Sequence, residues 1–193
     1  MLPHITNSTA GREKYDVLYK NIFEVMFTLP AALQSQSQFS SDTALIKEHV
    51  LSVGGLDGLD KAPEAGVTQK FMGTTRTYLN SGIDDTSIEF TVKLSLNLRN
   101  AVDNYIYKIF RAWSKLGYDI STGEKSLKTD YTADYLQISI GNRAGDVYRR
   151  VTFKDIILSK VNGGLDGLDY GEAGSIMEME VTFKSDWWVD EVI

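Results

Sequence analysis

The chain of 193 residues has no cysteine, two histidines and three prolines. The absence of cysteine excludes disulfides, thiolate zinc sites, iron–sulfur clusters and cysteine nucleophiles. With only His4 and His49 available, a histidine-rich metal centre or a histidine-based catalytic relay is a poor interpretation. No apolar run reaches the roughly 20 residues that a membrane-spanning helix needs, and the N-terminal residues do not resemble a secretory signal. We therefore expect a protein that folds in a cytoplasm, away from membranes.

Composition and length fit a single globular domain that spans residues 1–193. Hydrophobic residues make up 42% of the chain and charged residues 24%, as is usual for soluble domains. The formal net charge of −6 disfavours a general nucleic-acid binder, because such proteins neutralise phosphates with an excess of cations. The same charge suits a surface past which a polyanion must slide without sticking.

Most of the chain has the pattern of β-strands. In the clearest one, residues 87–96, five apolar side chains alternate with five polar ones. Residues 67–79 are strand-like but interrupted by Gly73, which indicates either a bulge or the tip of a long hairpin. The same reasoning predicts further strands at 21–29, 46–53, 133–140, 147–160 and 176–184, with polar loops at 34–41 and 121–130.

One segment, residues 100–116, has the pattern of a helix. Apolar residues recur there at spacings of three and four, which makes one broad stripe that can pack on a sheet. Residues 1–20 are mixed in character, and we expect them to be loose until a partner orders them. The fold class that follows is mainly β: an antiparallel β-sandwich or partly closed barrel with one packed α-helix.

Two of the predicted strands have one apolar and one polar face. The polar faces carry six candidate residues, namely Glu89, Thr91, Lys93, Glu178, Glu180 and Lys184. Such a strand belongs either to the outer wall of an ordinary sandwich or to the wall of a water-filled tube, and the alternation alone favours the sandwich.

A seven-residue motif, Gly-Gly-Leu-Asp-Gly-Leu-Asp, occurs at 54–60 and again, without change, at 163–169. One interpretation is a calcium loop, because closely spaced carboxylates supply the oxygen ligands that calcium prefers. The ligand set is incomplete, so a turn with leucines that plug a neighbouring surface is the better interpretation. The candidate residues are Leu56, Asp57, Leu59, Asp60, Leu165, Asp166, Leu168 and Asp169.

Other candidate features are weaker. Asp84 and Asp85, or Asp57 and Asp60, are the pairs that a carboxylate-based hydrolase would use, but aspartates in turns are common on any surface. The pair Trp187–Trp188 anchors the last strand in the core or forms a subunit contact, since tryptophan is enriched at interfaces.

The order of several short motifs resembles the tail tube proteins of contractile-tailed bacteriophages, which are similar in fold to the type VI secretion tube protein. The similar segments are Asn21 to Val25, Lys70 to Gly73 with Arg76 to Tyr78, Asp84-Asp85 with Phe90 to Val92, Phe110 to Ser114, and Met179 to Trp188. They span residues 20–190 in order, but each is short, and the polar loop and the repeated motif depart from the family.

The resemblance implies a structural virion protein without catalytic residues, cofactor or metal. Subunits would form six-fold rings whose sheets join edge to edge around a lumen, and the rings would stack into the inner tube of a contractile tail. The six polar-face residues would line that lumen, and their net negative charge would let DNA pass without specific binding during ejection. Contacts between rings or subunits would come from Phe71 and Met72 in the hairpin, from the two repeated motifs and from Trp187 and Trp188.

Implied partners are further copies of the chain, a tail sheath protein, a baseplate initiator and a tape-measure protein. The implied location is the virion tail, assembled in the host cytoplasm. A calcium-dependent sandwich module that uses the two repeated motifs is the alternative function.

Overall fold

The structure is a computed structural model, and it describes residues 20–36, 43–60, 65–79, 87–96, 105–142, 145–163 and 177–193. The strands in this part of the chain are β1 (Phe23–Phe27), β2 (Val50–Gly54), β3 (Ala65–Phe71), β4 (Thr74–Leu79), β5 (Ile88–Ser95), β6 (Ala133–Gly141), β7 (Val147–Asn162) and β8 (Glu178–Val192). The helices are α1 (Ala31–Gln34), α2 (Thr43–Glu48), α3 (Tyr105–Gly117) and α4 (Lys128–Tyr131), with a 3-10 helix at Leu56–Asp60.

The mainly β prediction is confirmed, and the strand positions agree with the sequence patterns except in four places. The predicted strand 46–53 is helical up to Glu48, where Ile46 is fully buried, and becomes a strand at Val50. Helix α1 ends at the first residue of the predicted loop 34–41, and α4 begins within the predicted loop 121–130; the single turns of these two helices have no periodic signal. The last strand continues past residue 184 to Val192. Residues 1–19 and 97–104, the latter including the predicted helix start, lie outside the described residues.

Six strands form one antiparallel sheet in the order β1-β6-β7-β8-β5-β2, and β3 and β4 form a separate hairpin. The two longest strands, β7 and β8, lie at the centre and pair along most of their length. Each of them exceeds the usual strand length of about 5 to 6 residues, so each runs through two regions of the sheet.

Strand β7 changes direction at Asp155. Its buried side chains alternate regularly up to Phe153 and resume at Ile156, three residues later. Asp155 has a φ of 52°, a left-handed conformation that is uncommon for a residue other than glycine. The register of β7 with β6 and β8 is the same on both sides of Asp155, so the strand bends here without an inserted residue, and such bends occur where strands pass from one layer of a sandwich to the other.

Strand β8 bends at the same level. Ser185 is fully buried, and the next side chain that packs on the core is Trp188, three residues later. The Ser185 Oγ lies 2.6 Å from the carbonyl oxygen of Lys154 and 2.8 Å from that of Trp187. The Trp187 Nε1 donates to the Asp155 Oδ2 at 3.1 Å. These hydrogen bonds hold the two bends against each other.

The bend divides the sheet into two four-stranded layers. The first layer consists of β2, β5, residues 178–185 of β8 and residues 156–162 of β7. The second layer consists of β1, β6, residues 147–154 of β7 and residues 187–192 of β8. The layers face each other across the core, which gives a partly closed barrel.

Aromatic side chains fill the space between the layers. Phe90 of the first layer stacks on Phe153 of the second with ring centroids 4.4 Å apart, and Phe183 lies 5.8 Å from Phe27. Helix α3 adds the fully buried Phe110 and Trp113. The Trp113 Nε1 donates to the carbonyl oxygen of Tyr131 in α4 at 2.7 Å, so the indole is fixed without an unpaired donor.

Helix α2 packs on the β1 side of the opening between the two edge strands of the sheet. It precedes β2 in the sequence and packs against β1, where Lys47 forms an ion pair with Glu24. Ile46 on its inner side belongs to the core cluster. No hydrogen-bonded ladder joins β1 to β2 among the described strands, so the barrel is only partly closed.

The serine at the bend gives a stability prediction. Replacing Ser185 by alanine removes the hydroxyl that lies within hydrogen-bond distance of both bend carbonyls, and we expect unfolding to become easier by about 1–3 kcal/mol. Urea unfolding monitored by tryptophan fluorescence measures this change. Ser114→Ala, at an exposed position on α3, is the matched control and should have almost no effect. Equal midpoints for the two variants would contradict the role assigned to Ser185.

Candidate assembly surfaces

The outer face of the first layer brings all six predicted polar-face residues together. Strands β5 and β8 pair so that Glu89 lies opposite Lys184, Thr91 opposite Thr182, and Lys93 opposite Glu180. Directly opposed residues share one face of a sheet, and the alternate residues on both strands are buried core residues. The structure therefore places these residues on one continuous polar surface.

Charged and hydroxyl groups on this surface are paired across the strands. The Lys93 Nζ lies 2.7 Å from the Glu180 Oε1, and the hydroxyl oxygens of Thr91 and Thr182 are 3.2 Å apart. The hydrogen bond and charge of Glu180 raise the pKa of Lys93, and the more distant Glu178 adds a smaller effect in the same direction. Pairing holds the lysine as a cation while neutralising its field.

Strand β7 extends the polar surface with residues that the sequence pattern did not identify. Lys160 lies opposite Thr182, and Asn162 lies opposite Glu180. A bulge between Leu158 and Lys160 shifts the alternation of side chains between the two faces of the strand. A strict alternation of polar and apolar residues in the sequence therefore does not identify Lys160 and Asn162.

Inclusion of Lys160 corrects the expected net charge of the surface. The acidic residues on the face are Glu89, Glu178 and Glu180, and the basic residues are Lys93, Lys160 and Lys184. Three carboxylates balance three ammonium groups, so the face as described is neutral, whereas the sequence led us to expect a net negative one.

The first layer ends in two strand edges that face away from each other. On one side β2 is the last strand of the sheet. On the other side β6 stops pairing with β7 at Ile156, and within the described chain residues 157–162 pair with β8 alone. Unpaired edges of this kind are available for pairing with another chain.

Strands β3 and β4 form the predicted hairpin, which ends in an exposed apolar tip. The turn is made by Met72, with a φ of 46°, and Gly73, with a φ of 79°. The Phe71 side chain is 73% exposed and the Met72 side chain is 90% exposed. Thr74 Oγ1 donates to the carbonyl oxygen of Phe71 at 2.7 Å, which fixes the turn.

The first copy of the repeated motif is a loop that packs on its own subunit. Gly55 has a φ of 82°, and a Cβ there would lie 2.9 Å from the carbonyl oxygen of Glu89, so the position requires glycine. The 3-10 helix that follows turns Leu56 and Leu59 towards the core, where both are partly buried, while Asp57 is exposed. This agrees with the interpretation of the leucines as a plug.

The two tryptophans have different environments. Trp188 packs against the core, as an anchor of the last strand would. Trp187 points to the other side, is 44% exposed and is held by Asp155. Of the two tryptophans, Trp187 is the more accessible to a neighbouring molecule.

Several other candidates lie outside the described part of the chain. They are His4, Asp84 and Asp85, the side chain of Asp60, and the second motif with Leu165, Asp166, Leu168 and Asp169. His49 is described, and its Nδ1 lies 3.1 Å from the Ser95 Oγ. Within the described residues no cluster of three metal-ligating side chains occurs, and no described helix has the length and apolarity to cross a membrane.

Comparison with known proteins gives matches in structure only. No family model matches the chain, and no curated protein matches it in sequence. A solved chain from the PVC sheath–tube complex of an extracellular contractile injection system matches with a TM-score of 0.58 at 14% identity, over 97% of this chain and 100% of that one.

Two further matches come from the ends of such tubes. The anti-feeding prophage cap, described as the tube-terminating cap, matches with a TM-score of 0.52 at 13% identity over 92% of both chains. The PVC sheath/tube terminator has the same TM-score and identity, over 91% of this chain and 97% of that one. The chain therefore has the fold of tube and terminator components of contractile injection systems, which agrees with the resemblance seen in the sequence.

The cross-strand ion pair gives a prediction for the polar face. We expect Glu180→Gln to lower the pKa of Lys93 towards its ordinary value, because Glu180 provides the main causes of its elevation. Glu178→Gln is the matched control and should change this pKa less. Titration of the lysine side chains by nuclear magnetic resonance measures both. Equal shifts in the two variants would contradict the pairing.

Proposed function

We propose that the protein is the structural subunit of the inner tube of a contractile tail or related injection device, and that it is not an enzyme. The observation that carries this proposal is the form of the first layer: four strands with a polar outer face and an open edge on each side. Such a layer is a segment of a larger wall. The fold similarity to tube and terminator components supports the same assignment.

In this proposal the edge strand β2 of one subunit pairs with residues 157–162 of β7 in the next. Each subunit then contributes four strands, and six subunits, the number that the resemblance to tail tube proteins implies, give a closed barrel of 24 strands. Barrels of 16 to 18 strands already enclose an aqueous channel, so a barrel of this size has a wide lumen. Closure also removes the edges that would otherwise promote aggregation.

The apolar face of the first layer is buried in the core of the subunit, so in this proposal its polar face lines the lumen. In the tail of a phage, the lumen would conduct DNA during ejection. An acidic wall would repel a polyanion. The neutral surface described here would instead let it pass because most of its lysines are paired with glutamates across the strands and do not hold phosphates. Lys93 forms an ion pair with Glu180, and Lys184 lies opposite Glu89. The described face therefore has few unpaired cations that would hold phosphates.

The remaining partners are those that the resemblance to tail tube proteins implies, and the proposed arrangement gives each of them a place. With the first layer inside, the second layer and the exposed side of α3, which carries Lys108, Arg111 and Lys115, lie towards the outside of the tube. A tail sheath protein would contact that outer surface. A baseplate initiator would start the tube, and a tape-measure protein would occupy the lumen before ejection. The location is then the tail of a virion that assembles in the host cytoplasm.

A lysine on the edge strand tests the ring. Leu51 is 47% exposed on β2, and a lysine on an edge strand is a common natural means of preventing pairing with another chain. We expect Leu51→Lys to remain monomeric at concentrations where the unchanged protein forms rings or tubes.

Sedimentation velocity and negative-stain electron microscopy measure this assembly. Leu127→Lys is the matched control, because Leu127 is also exposed but lies before α4, away from both edges. Rings formed by Leu51→Lys as readily as by the control would contradict edge pairing. Absence of rings or tubes from the unchanged protein, even with its baseplate, would contradict the tube itself.

The charge balance of the lumen gives a further prediction. Changing Glu89, Glu178 and Glu180 to glutamine leaves three lysines unopposed in each subunit, and we expect assembled tubes of this variant to bind short DNA in a salt-dependent manner. Fluorescence anisotropy over a range of salt concentrations measures the binding.

The matched control changes three exposed carboxylates elsewhere, Glu48, Glu124 and Asp134, to their amides. It has the same net charge but should bind much less DNA. Equal binding by the two variants would show that the polar face does not line the path of the DNA.

A further inference from the structure

We propose that Lys160 forms a ring of cations in the lumen of the tube, and that this ring binds the phosphate groups of DNA as it passes. The inference rests on the proposed tube, and it adds a binding site to a lumen that is otherwise neutral. The site lies in a row of the wall in which the cation has no carboxylate opposite it on the described strands.

The three lysines of the polar face differ in what lies opposite them. Lys93 forms an ion pair with Glu180 at 2.7 Å, and Lys184 lies opposite a glutamate of β5. Lys160 lies opposite Thr182 instead, is exposed, and belongs to none of the ion pairs among the described residues. Its ammonium group is therefore available to an anion from outside the subunit.

Hydroxyl groups share the row of Lys160 on the sheet. The register places Lys160 of β7, Thr182 of β8 and Thr91 of β5 side by side across three strands. The two threonine hydroxyl oxygens are 3.2 Å apart. Glu180 is diagonal to Lys160, but it is already paired with Lys93. The row thus combines one positive charge with hydroxyl groups, and both kinds of group contact phosphates in complexes with DNA.

The carboxylate that makes the face neutral in sum lies at another level. Glu178 is opposite Ser95, which is four residues along β5 from Thr91. Four residues of an antiparallel strand span about 14 Å, whereas the screening length at physiological salt is about 8 Å. Glu178 therefore balances Lys160 in the total charge of the face without cancelling its field locally.

The proposed ring leaves Lys160 without a carboxylate on its other side as well. There, residues 157–162 pair with β2 of the next subunit, and β2 (Val50–Gly54) carries no charged side chain. Its residue on the polar face is Ser52, which lies opposite Lys93. A six-fold ring then places one Lys160 after every four strands, or about 19 Å apart. Since this exceeds the screening length, each lysine binds a phosphate independently of the others.

The chemistry of the face favours phosphates over the carboxylates of a protein. Its described cations are lysines, and the paired segments 88–95, 157–162 and 178–184 contain no arginine. Arginine binds a carboxylate through two fixed hydrogen bonds, whereas lysine is a point charge without a preferred orientation. A point charge of this kind can hold successive phosphates of a backbone that slides past it.

Three variants with the same change in net charge test the ring. Lys160→Gln removes the ammonium group, and Thr182→Glu places a carboxylate opposite it. Lys184→Gln is the matched control, because it removes a lysine of the same face that already lies opposite a glutamate. Fluorescence anisotropy of a short labelled DNA duplex, mixed with assembled tubes over a range of salt concentrations, measures the binding.

We expect Lys160→Gln and Thr182→Glu each to weaken DNA binding roughly tenfold at low salt and to make it less dependent on salt, because phosphate contacts are lost. Lys184→Gln should weaken binding much less. DNA bound to the outside of the tube is affected by none of the three changes. Equal effects of Lys160→Gln and Lys184→Gln, or no measurable binding by unchanged tubes, would overturn the ring.

The outcomes separate the ring from the tube as a whole. Tubes that form normally but bind DNA independently of Lys160 overturn the ring and leave the tube proposal intact. Absence of tubes from the unchanged protein contradicts both. Polyglutamate is the second probe: if it binds in a manner that depends on Lys160 while DNA does not bind, the ring serves an acidic protein and the proposal is also overturned.

Discussion

The bend shared by β7 and β8 is the constraint on which the rest of the molecule depends. In both strands the alternation of buried side chains is interrupted at the same level and resumes three residues later. One six-stranded sheet thereby becomes two layers that enclose a core. The hydroxyl of Ser185 and the carboxylate of Asp155 hold this bend through backbone and indole contacts. Without it the sheet would be open and its apolar face would have no partner.

The same bend creates the surfaces that we assign to assembly. It ends the pairing of β6 with β7 at Ile156, so that the continuation of β7 has an edge without a partner among the described strands. A protein that folded only to bury its own core would gain by covering this edge and β2. Both edges belong to the layer with the polar outer face. This arrangement favours a wall closed by several subunits over a sandwich that functions as a monomer.

Sequence patterns predicted the elements that depend on local periodicity and failed where tertiary contacts decide. The alternation in 87–96 identifies β5, because every second side chain of that strand faces the core. The apolar stripe around Phe110 identifies α3, because side chains three and four residues apart lie on the same face of a helix. The segment around Ile46 is rich in β-branched and aliphatic residues, yet it is helical because packing against β1 buries that side chain. The bulge next to Lys160 concealed a cation, and so the charge of the polar face was misjudged.

The repeated Gly-Leu-Asp motif shows how far a motif can be interpreted before its packing is known. Its spacing of aspartates suggested calcium, whereas in the described copy Gly55 permits close approach to β5 and the leucines turn towards the core. One of these leucines also lines a cavity of about 460 Å³ where β2 approaches β1 and β6. The loop thus contributes to the stability of its own subunit, while Asp57 stays exposed beside it. An interpretation from spacing alone gives weight to the aspartates, whereas the packing shows that the glycine and the leucines are the residues whose positions the fold determines.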